Sequence, residues 1–292
     1  MLKDDLVRRY ELELAPGSRK VRLDGKAVRP LARYFGAFNV VVFTPEDLAL
    51  PRGAPGDRRR FLDRSCFNLE PGYLATASDY DKVLRTRNSV LRQAGGGRIG
   101  ARQVDELLAV YDAQLAQLAV AIIAARVRFL DVIAPELATA FAAITRTGLV
   151  ATVAYVSKLV GASAEAIEQQ LREGRARDLA SQATQLGPHR DDLRFDLAAH
   201  EAGSFASQGQ LRAIMLAWKT AELAVLGRVH GDPPILLLDD VSSELDPTRN
   251  EYLFEHLATL AGQCFITTTD AGFVLLHQDR ADYRIESGRI LQ

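Results

Sequence analysis

Two adjacent carboxylates close an oily segment near the end of the chain, Pro234-Ile235-Leu236-Leu237-Leu238-Asp239-Asp240. Four consecutive apolar residues fit a strand buried on both faces, as in parallel sheets. Open α/β sheets bind ligands at the carboxyl ends of their strands, which is where Asp239 and Asp240 are delivered. In phosphoryl-transfer proteins the first such carboxylate helps hold Mg2+ and a neighbouring group orients the attacking water. Taken alone, the segment fits a strand followed by a helix-capping turn at least as well. Upstream, Ser207-Gln208-Gly209-Gln210 leads into a helix. Ser207 is a good N-cap, and a first turn with a small residue and glycine leaves N–H groups that can face an anion. In isolation this tetrapeptide reads as simple capping.

The elements that must position these residues are legible from pattern. Ile235–Leu238 is a strand, Gln210–Gly227 a helix with a strong apolar face, Pro247–Leu260 a helix and Cys264–Thr267 a strand. Strand, helix, strand with continuous apolar strands predicts a parallel α/β sheet. Earlier, Val7–Leu14 and Lys20–Leu23 alternate as strands, and Asn39–Phe43 is a β-branched run stopped by Pro45. Helices are expected over Arg58–Leu69, Tyr73–Gln93 and Ala164–Glu173, with strands at Gly148–Tyr155 and Leu193–Leu197. Leu108, Tyr111, Leu115, Leu118, Ile122, Ala125, Phe129 and Val132 alternate in steps of 3 and 4, a heptad seam on one long helix expected to end at Pro135. That seam suits one helix of an ordinary bundle, or one limb of an antiparallel arm paired with Tyr73–Gln93.

Composition narrows the class only a little. Among 292 residues, 25% are charged and the formal net charge is −1, so any nucleic-acid surface must be a local basic patch. Cys66 and Cys264 are far apart and lack metal-ligand spacing, which suits a reduced, cytoplasmic compartment. No apolar run approaches membrane-spanning length, so no membrane partner is expected.

In combination, Ser207–Gln210, a helix, Ile235–Asp240 and Ser243-Glu244-Leu245-Asp246 follow the order of signature, Walker B and D-loop in an ABC ATPase. Three further blocks resemble the RecF family: Gly187-Pro188-His189-Arg190-Asp191-Asp192-Leu193, Val42-Phe43-Thr44-Pro45-Glu46-Asp47-Leu48 and Arg58-Arg59-Arg60-Phe61-Leu62-Asp63. The resemblance runs from about Arg19 to Ile290. It implies an α/β fold: an SMC-like ABC-ATPase head built from 1–69 and 179–292, with an antiparallel helical arm inserted at 70–178. It also implies ATP and Mg2+ as cofactors. Asp239 matches the metal-associated carboxylate. Asp240 stands as the catalytic residue where ABC enzymes usually carry glutamate; one methylene shorter, it suits a slow switch better than a fast motor. Ser207, Gln208, Gly209 and Gln210 match the signature, which contacts the γ-phosphate held by the opposite subunit, and Asp246 matches the D-loop residue that crosses the dimer interface. Thr267-Thr268-Thr269 lies where many relatives carry a switch histidine. For His189 and Arg190 a structured turn and a sensing role stay equally open.

The phosphate loop G-x-x-x-x-G-K-[ST] is completed at none of Lys3, Lys20, Lys26, Lys82, Lys158 or Lys219. Proteins resembling RecF carry it nearer the N-terminus than this sequence begins, so either a start assigned at an internal methionine or a shortened protein is expected. Without the strand and helix around that loop, an unpaired strand edge and exposed apolar surface are expected.

Arg58, Arg59, Arg60 and Arg64 form one basic cluster and Arg85, Arg87 and Arg92 another, with Asp57, Asp63 and Asp81 interspersed. Such clusters suit DNA phosphates or a solvated, ion-paired helix face. The resemblance favours DNA contact at Arg58, Arg59, Arg60, Arg85 and Arg87. It implies an ATP-dependent homodimeric clamp on double-stranded DNA beside single-stranded gaps. It also implies recombinase loading with RecR-like and RecO-like partners, and a part in the DNA-damage (SOS) response. The alternative is an ATPase-inactive DNA- or partner-binding module, which the missing loop favours. A transporter's nucleotide-binding subunit fits poorly with the long seam and the Gly187–Leu193 block.

Overall fold

The structure is a computed structural model and describes residues 2–3, 6–16, 18–28, 39–276 and 278–291. Residues 29–38 of the expected head segment therefore lie outside the description. The short strands β1 (Leu2–Lys3) and β2 (Leu6–Val7) pair, and β3 (Tyr10–Ala15), β4 (Ser18–Leu23) and β5 (Lys26–Ala27) form an antiparallel sheet. Then follow β6 (Val40–Phe43), α1 (Pro45–Leu48), α2 (Pro55–Leu69), α3 (Tyr73–Gly95) and α4 (Ala101–Thr145). Next come β7 (Ala151–Val156), α5 (Ala164–Glu173), α6 (Arg175–Ser181), β8 (Asp192–Leu197), β9 (His200–Glu201) and α7 (Ala202–Phe205). The chain closes with α8 (Gln208–His230), β10 (Ile235–Asp239), α9 (Pro247–Leu260), β11 (Gln263–Thr267), β12 (Arg284–Glu286) and β13 (Arg289–Leu291).

The expected parallel sheet is present in the order β11-β10-β6. Leu236 pairs with Val41 and Cys264, and Leu238 with Phe43 and Ile266, giving one row turned into the core. The alternate row, Val42, Leu237 and Phe265, occupies the opposite face, and there Phe265 is 54% exposed. Among the described residues β11 is an edge strand of this sheet. The expected open edge and exposed apolar surface are both seen.

Helix α8 is buried on every side from Leu211 to Leu226. Trp218 stands among Phe61, Phe129 and Phe195 with ring centroids 5.2, 5.7 and 5.6 Å away, tying α2, α4 and β8 to it. Lys219, also buried, donates to the Val42 carbonyl at 2.6 Å and pairs with Asp47 at 3.2 Å, which fixes β6 and α1.

The long helix departs from expectation. It does not end at Pro135 but runs on to Thr145, with Pro135 inside. A proline in a helix costs about 3 kcal/mol. Burial of Ile133, Leu137, Phe141 and Ile144 around it exceeds that cost, at about 1.5–3 kcal/mol for each large side chain. The buried stripe is Val104, Leu108, Asp112, Leu115, Ala119, Ile122, Arg126, Phe129, Ile133, Leu137, Ala140 and Ile144. Successive steps of 4 at both ends give it the 3.6-residue period of a straight helix rather than a heptad. Val132, assigned to the seam, is exposed. Length and composition alone would let α4 cross a bilayer, contrary to the reading of the sequence. Here its apolar stripe packs on α3, α5, α8 and β7, and Asp112 and Arg126 on it are buried in ion pairs.

The division expected at residues 70 and 178 is crossed by one continuous core. The second half of α4 packs on α8, and β7 pairs with β8 with Ala151 opposite Leu197. Outside that core, α3 and the first half of α4 carry a small cluster of their own: Val90, Leu91, Val104 and Leu108.

Arg87 is corrected as a DNA contact. It is fully buried, donating to Asp112 at 2.8 Å, Asp178 at 2.7 Å and Thr184 at 2.8 Å. Arg85, two positions earlier, is exposed. Arg87→Ala should therefore lower unfolding free energy by about 3–5 kcal/mol, because it strands two buried carboxylates. Arg85→Ala should change it by less than about 0.5 kcal/mol. Equilibrium urea unfolding of both variants checks the contrast.

Candidate functional site

Asp239 stands at the carboxyl end of β10, where the apolar run predicts it. The parallel register sets it beside Thr267 of β11, whose hydroxyl donates to Asp239 Oδ1 at 2.5 Å. On the other flank β6 ends at Phe43, opposite Leu238, so the following turn brings Glu46 to the same edge. The Thr44 hydroxyl and its own N–H hold the Glu46 carboxyl below its ordinary range, while the charge on Asp239 opposes them. Glu46 and Thr267 are the residues here whose part the sequence left unread. Their only signal is register, which joins strand ends far apart in sequence. Among the described residues no three metal-ligating side chains converge.

Asp240 turns the chain out of the sheet at φ 48°, a left-handed conformation uncommon for a non-glycine residue. Its N–H is fixed on the Thr267 carbonyl at 3.0 Å and its carbonyl accepts from Ser243 Oγ at 2.8 Å. Asp240 Oδ1, Ser242 Oγ, Arg249 Nε and Asn250 Oδ1 are buried with no hydrogen-bond partner among the described residues. Four further buried atoms without a hydrogen-bond partner, Arg87 Nη2, Arg175 Nη2, Trp218 Nε1 and Glu222 Oε2, lie elsewhere.

Ser207 caps α8 in a reciprocal box. Its Oγ accepts from the Gln210 N–H at 3.3 Å, and Gln210 Oε1 accepts from the Ser207 N–H at 2.8 Å. The first-turn N–H groups of Gln208 and Gly209 have no acceptor among the described residues, as expected at a helix start. Arg249 lies against this turn: a Cβ built on Gly209 would be 3.4 Å from one of its terminal nitrogens. Arg249 also pairs with Asp246, and Arg212 of α8 pairs with Glu244 at 2.5 Å. The predicted residues thus fall into two bonded groups. One is the sheet edge of Asp239, Thr267 and Asp240. The other is the helix cap of Ser207–Gln210 with the loop of Glu244–Arg249.

The Gly187–Leu193 block is a polar knot at the foot of α3 and α4. Gly187 has φ 133°, and a Cβ there would lie 2.3 Å from the Tyr80 hydroxyl. That hydroxyl bonds His189 Nδ1 at 2.7 Å, and His189 Nε2 meets the Thr184 carbonyl at 3.0 Å. Burial pushes the His189 pKa down to about 4. Arg190 donates to the same carbonyl at 3.1 Å. Nearby Arg126, buried, binds Asp63 at 2.8 Å and the Pro188 carbonyl at 2.9 Å. His189 and Arg190 are thus both bonded to the Thr184 carbonyl, as a structured turn requires.

Two more expected DNA contacts are committed inward. Arg58 grips both oxygens of Asp192 at 2.8 and 2.6 Å, and Arg59 donates to the Asp191 carbonyl at 2.7 Å. The Asp192 carboxylate at the start of β8 and the Asp191 carbonyl just before it satisfy donors that spacing alone offered to phosphate. Arg60 is exposed but paired with Asp57.

No family model matches the chain. It is 41% identical to the DNA replication and repair protein RecF of Anaeromyxobacter sp. (strain Fw109-5), over 97% of this chain and 77% of that protein. It is 39% identical to RecF of Myxococcus xanthus (strain DK1622), over 91% of this chain and 71% of that protein. Among solved structures, the recombination mediator protein RecF-ATPrS in the RecFOR pathway superposes with a TM-score of 0.86 at 27% identity, covering 98% of this chain and 76% of that one. The RecF-ATP structure gives 0.81 at 26% identity, covering 97% and 75%.

The depressed His189 pKa fixes a pH dependence. The unfolded chain, titrating near 6.5, takes up a proton before the folded chain does. The stability His189 contributes is whole above about pH 6.5 and is lost as pH falls toward 4, by an amount on the order of 3 kcal/mol. Urea midpoints at pH 7 and pH 4.5 should fall further for the wild type than for His189→Gln; parallel falls would remove the assignment.

Proposed function

Since this chain belongs to the RecF family of DNA replication and repair proteins, we propose that it takes part in an ATP site shared between two subunits of a DNA clamp, through the carboxylates Asp239 and Asp240 and through the signature Ser207–Gln210. The observation that carries this reading is the pairing of Asp239 with Thr267 at the carboxyl edge of the sheet, preceded in sequence by a capped and otherwise buried helix. A sheet edge and a helix start of this kind are where phosphates are held in α/β proteins.

Each residue has a physical part. Asp239 would hold Mg2+, with Thr267 fixing its rotamer. Asp240, pinned through its backbone and with one carboxylate oxygen free, would orient water as the catalytic group. The N–H groups of Gln208 and Gly209, fixed by the Ser207–Gln210 box, would face the γ-phosphate bound by the second subunit. Asp246 would reach across the interface. Bound MgATP supplies the cleavable anhydride and the negative charge that both subunits share. No phosphate loop occurs among these 292 residues; Ser207–Gln210 and Asp246 would serve the signature side, and Asp239 and Asp240 the side that holds metal and water.

For DNA, the exposed side of α3 replaces the arginines that turn inward. Arg85 and Arg92 are both exposed and lie two helical turns apart on one face. Two arms in a dimer would bring two such faces to a duplex beside a single-stranded gap, with RecR-like and RecO-like proteins as partners in the cytoplasm.

Two measurements test this. Mixing the chain with a full-length RecF should raise that protein's ATP-dependent association, and Ser207→Arg should remove at least nine tenths of the gain. No gain with ATP, alongside retained DNA affinity, would instead support a silent binding module. Separately, the joint Arg85→Ala and Arg92→Ala variant should bind duplex DNA more weakly and with a salt slope reduced by about 1–2, one phosphate contact being worth about 0.9. An unchanged slope would remove the arm from the DNA surface.

A further inference from the structure

The geometry points to Arg249 as a further phosphate-directed residue: it leaves Asp246 for the triphosphate that the second subunit brings to Gln208 and Gly209, and so frees Asp246 for the interface. This rests on the shared-site reading above and adds a residue and a switch to it.

Placement comes first. The terminal nitrogens of Arg249 lie 3.4 and 3.5 Å from where a Gly209 Cβ would stand, so the guanidinium covers the side of the first turn of α8. That is an adverse place for a cation, because the start of a helix carries about half a positive charge. A second cation adds to the positive charge: burial first, then the charge on Arg212, lowers the pKa of Arg249. Two arginines and a helix start are thus gathered at one spot. Asp246 and Glu244 answer them, and both side chains are more than 40% exposed. The pairing is one to one and partly exposed to solvent, so a polyanion can compete for the two guanidinium groups.

The bonding of Arg249 is also incomplete. A guanidinium has five N–H donors in a rigid fork. One terminal nitrogen is used on Asp246, whereas Nε is buried without an acceptor among the described residues. Phosphate oxygens in the space before Gly209 would accept from the fork, replacing a single carboxylate with a more highly charged acceptor.

The consequence for Asp246 follows from its bonds. Its Oδ1 accepts from the Arg249 N–H at 3.1 Å and its carbonyl from the Asn250 N–H at 2.9 Å, so the start of α9 stays capped whatever the Arg249 side chain does. Only Oδ2 is occupied by the guanidinium. Moving that side chain exposes one carboxylate oxygen without unwinding the loop. Arrival of phosphate on one face is then coupled to presentation of an acid on the other.

The contrary possibility is that Arg249 only pins the loop. Titrating the whole chain with Mg2+-free inorganic tripolyphosphate, followed by backbone amide NMR, separates the two. Saturable shifts are expected at Gln208 and Gly209 in the wild type. Arg249→Ala should weaken the response at least tenfold and Arg249→Lys by less, while Asp246→Asn should strengthen it by releasing the guanidinium. Equal affinity in Arg249→Ala and wild type, or weakening by Asp246→Asn to the same degree as Arg249→Ala, overturns the proposal and leaves the shared site standing. Wild-type amides at Gln208 and Gly209 that do not respond overturn both. The amide spectrum also reports whether each variant is folded, and if Arg249→Ala is not, the opposite signs expected for Arg249→Lys and Asp246→Asn decide.

Discussion

A helix that is apolar on every side is stable only at the centre of a protein, and α8 imposes that condition on everything around it. Trp218 gathers aromatic rings from α2, α4 and β8. The next residue, Lys219, is held by the Val42 carbonyl and Asp47. A buried ammonium is costly unless its donors are matched, so this cation fixes β6 against the helix as firmly as packing does. With its body locked, α8 presents its capped start at a defined place beside the loop that follows β10. The site is thus positioned by a core element, not by surface loops.

Ion pairs differ in burial from one part of the molecule to another. At the foot and middle of the arm, arginines are neutralised inside: Arg87 by Asp112 and Asp178, Arg126 by Asp63, Arg58 by Asp192. Breaking any of these strands a buried charge, so they resist rearrangement. Around residues 240–250 the ion pairs Arg212–Glu244 and Arg249–Asp246 are instead partly exposed.

Much of this was legible in the sequence because it rests on local pattern. The helix at Ala164–Glu173 and the helix at Pro247–Leu260 lie at the boundaries read from periodicity and punctuation. The oily strand delivers Asp239 to the sheet edge as its composition requires. What failed depends on partners distant in the chain. Nothing near Arg87 announces Asp178, and nothing near Arg58 announces Asp192. Pro135 reads as a stop until the apolar residues beyond it find α8. Thr267 is an ordinary strand-end threonine until parallel pairing sets it beside Asp239. Gly187 has a local reason, its positive φ, but its close neighbour Tyr80 lies more than a hundred positions earlier.

The unbroken run of α4 makes it a lever. At 1.5 Å per residue its 45 residues span about 68 Å. From Leu115 onward it belongs to the main core, and Ala101–Gln114 extends beyond that core with α3. Each degree of tilt swings that end by about 0.4 Å over an outer length of about 21 Å. A tilt of about 5° would therefore carry that end about 2 Å, while the core-bound part of the same helix hardly moves.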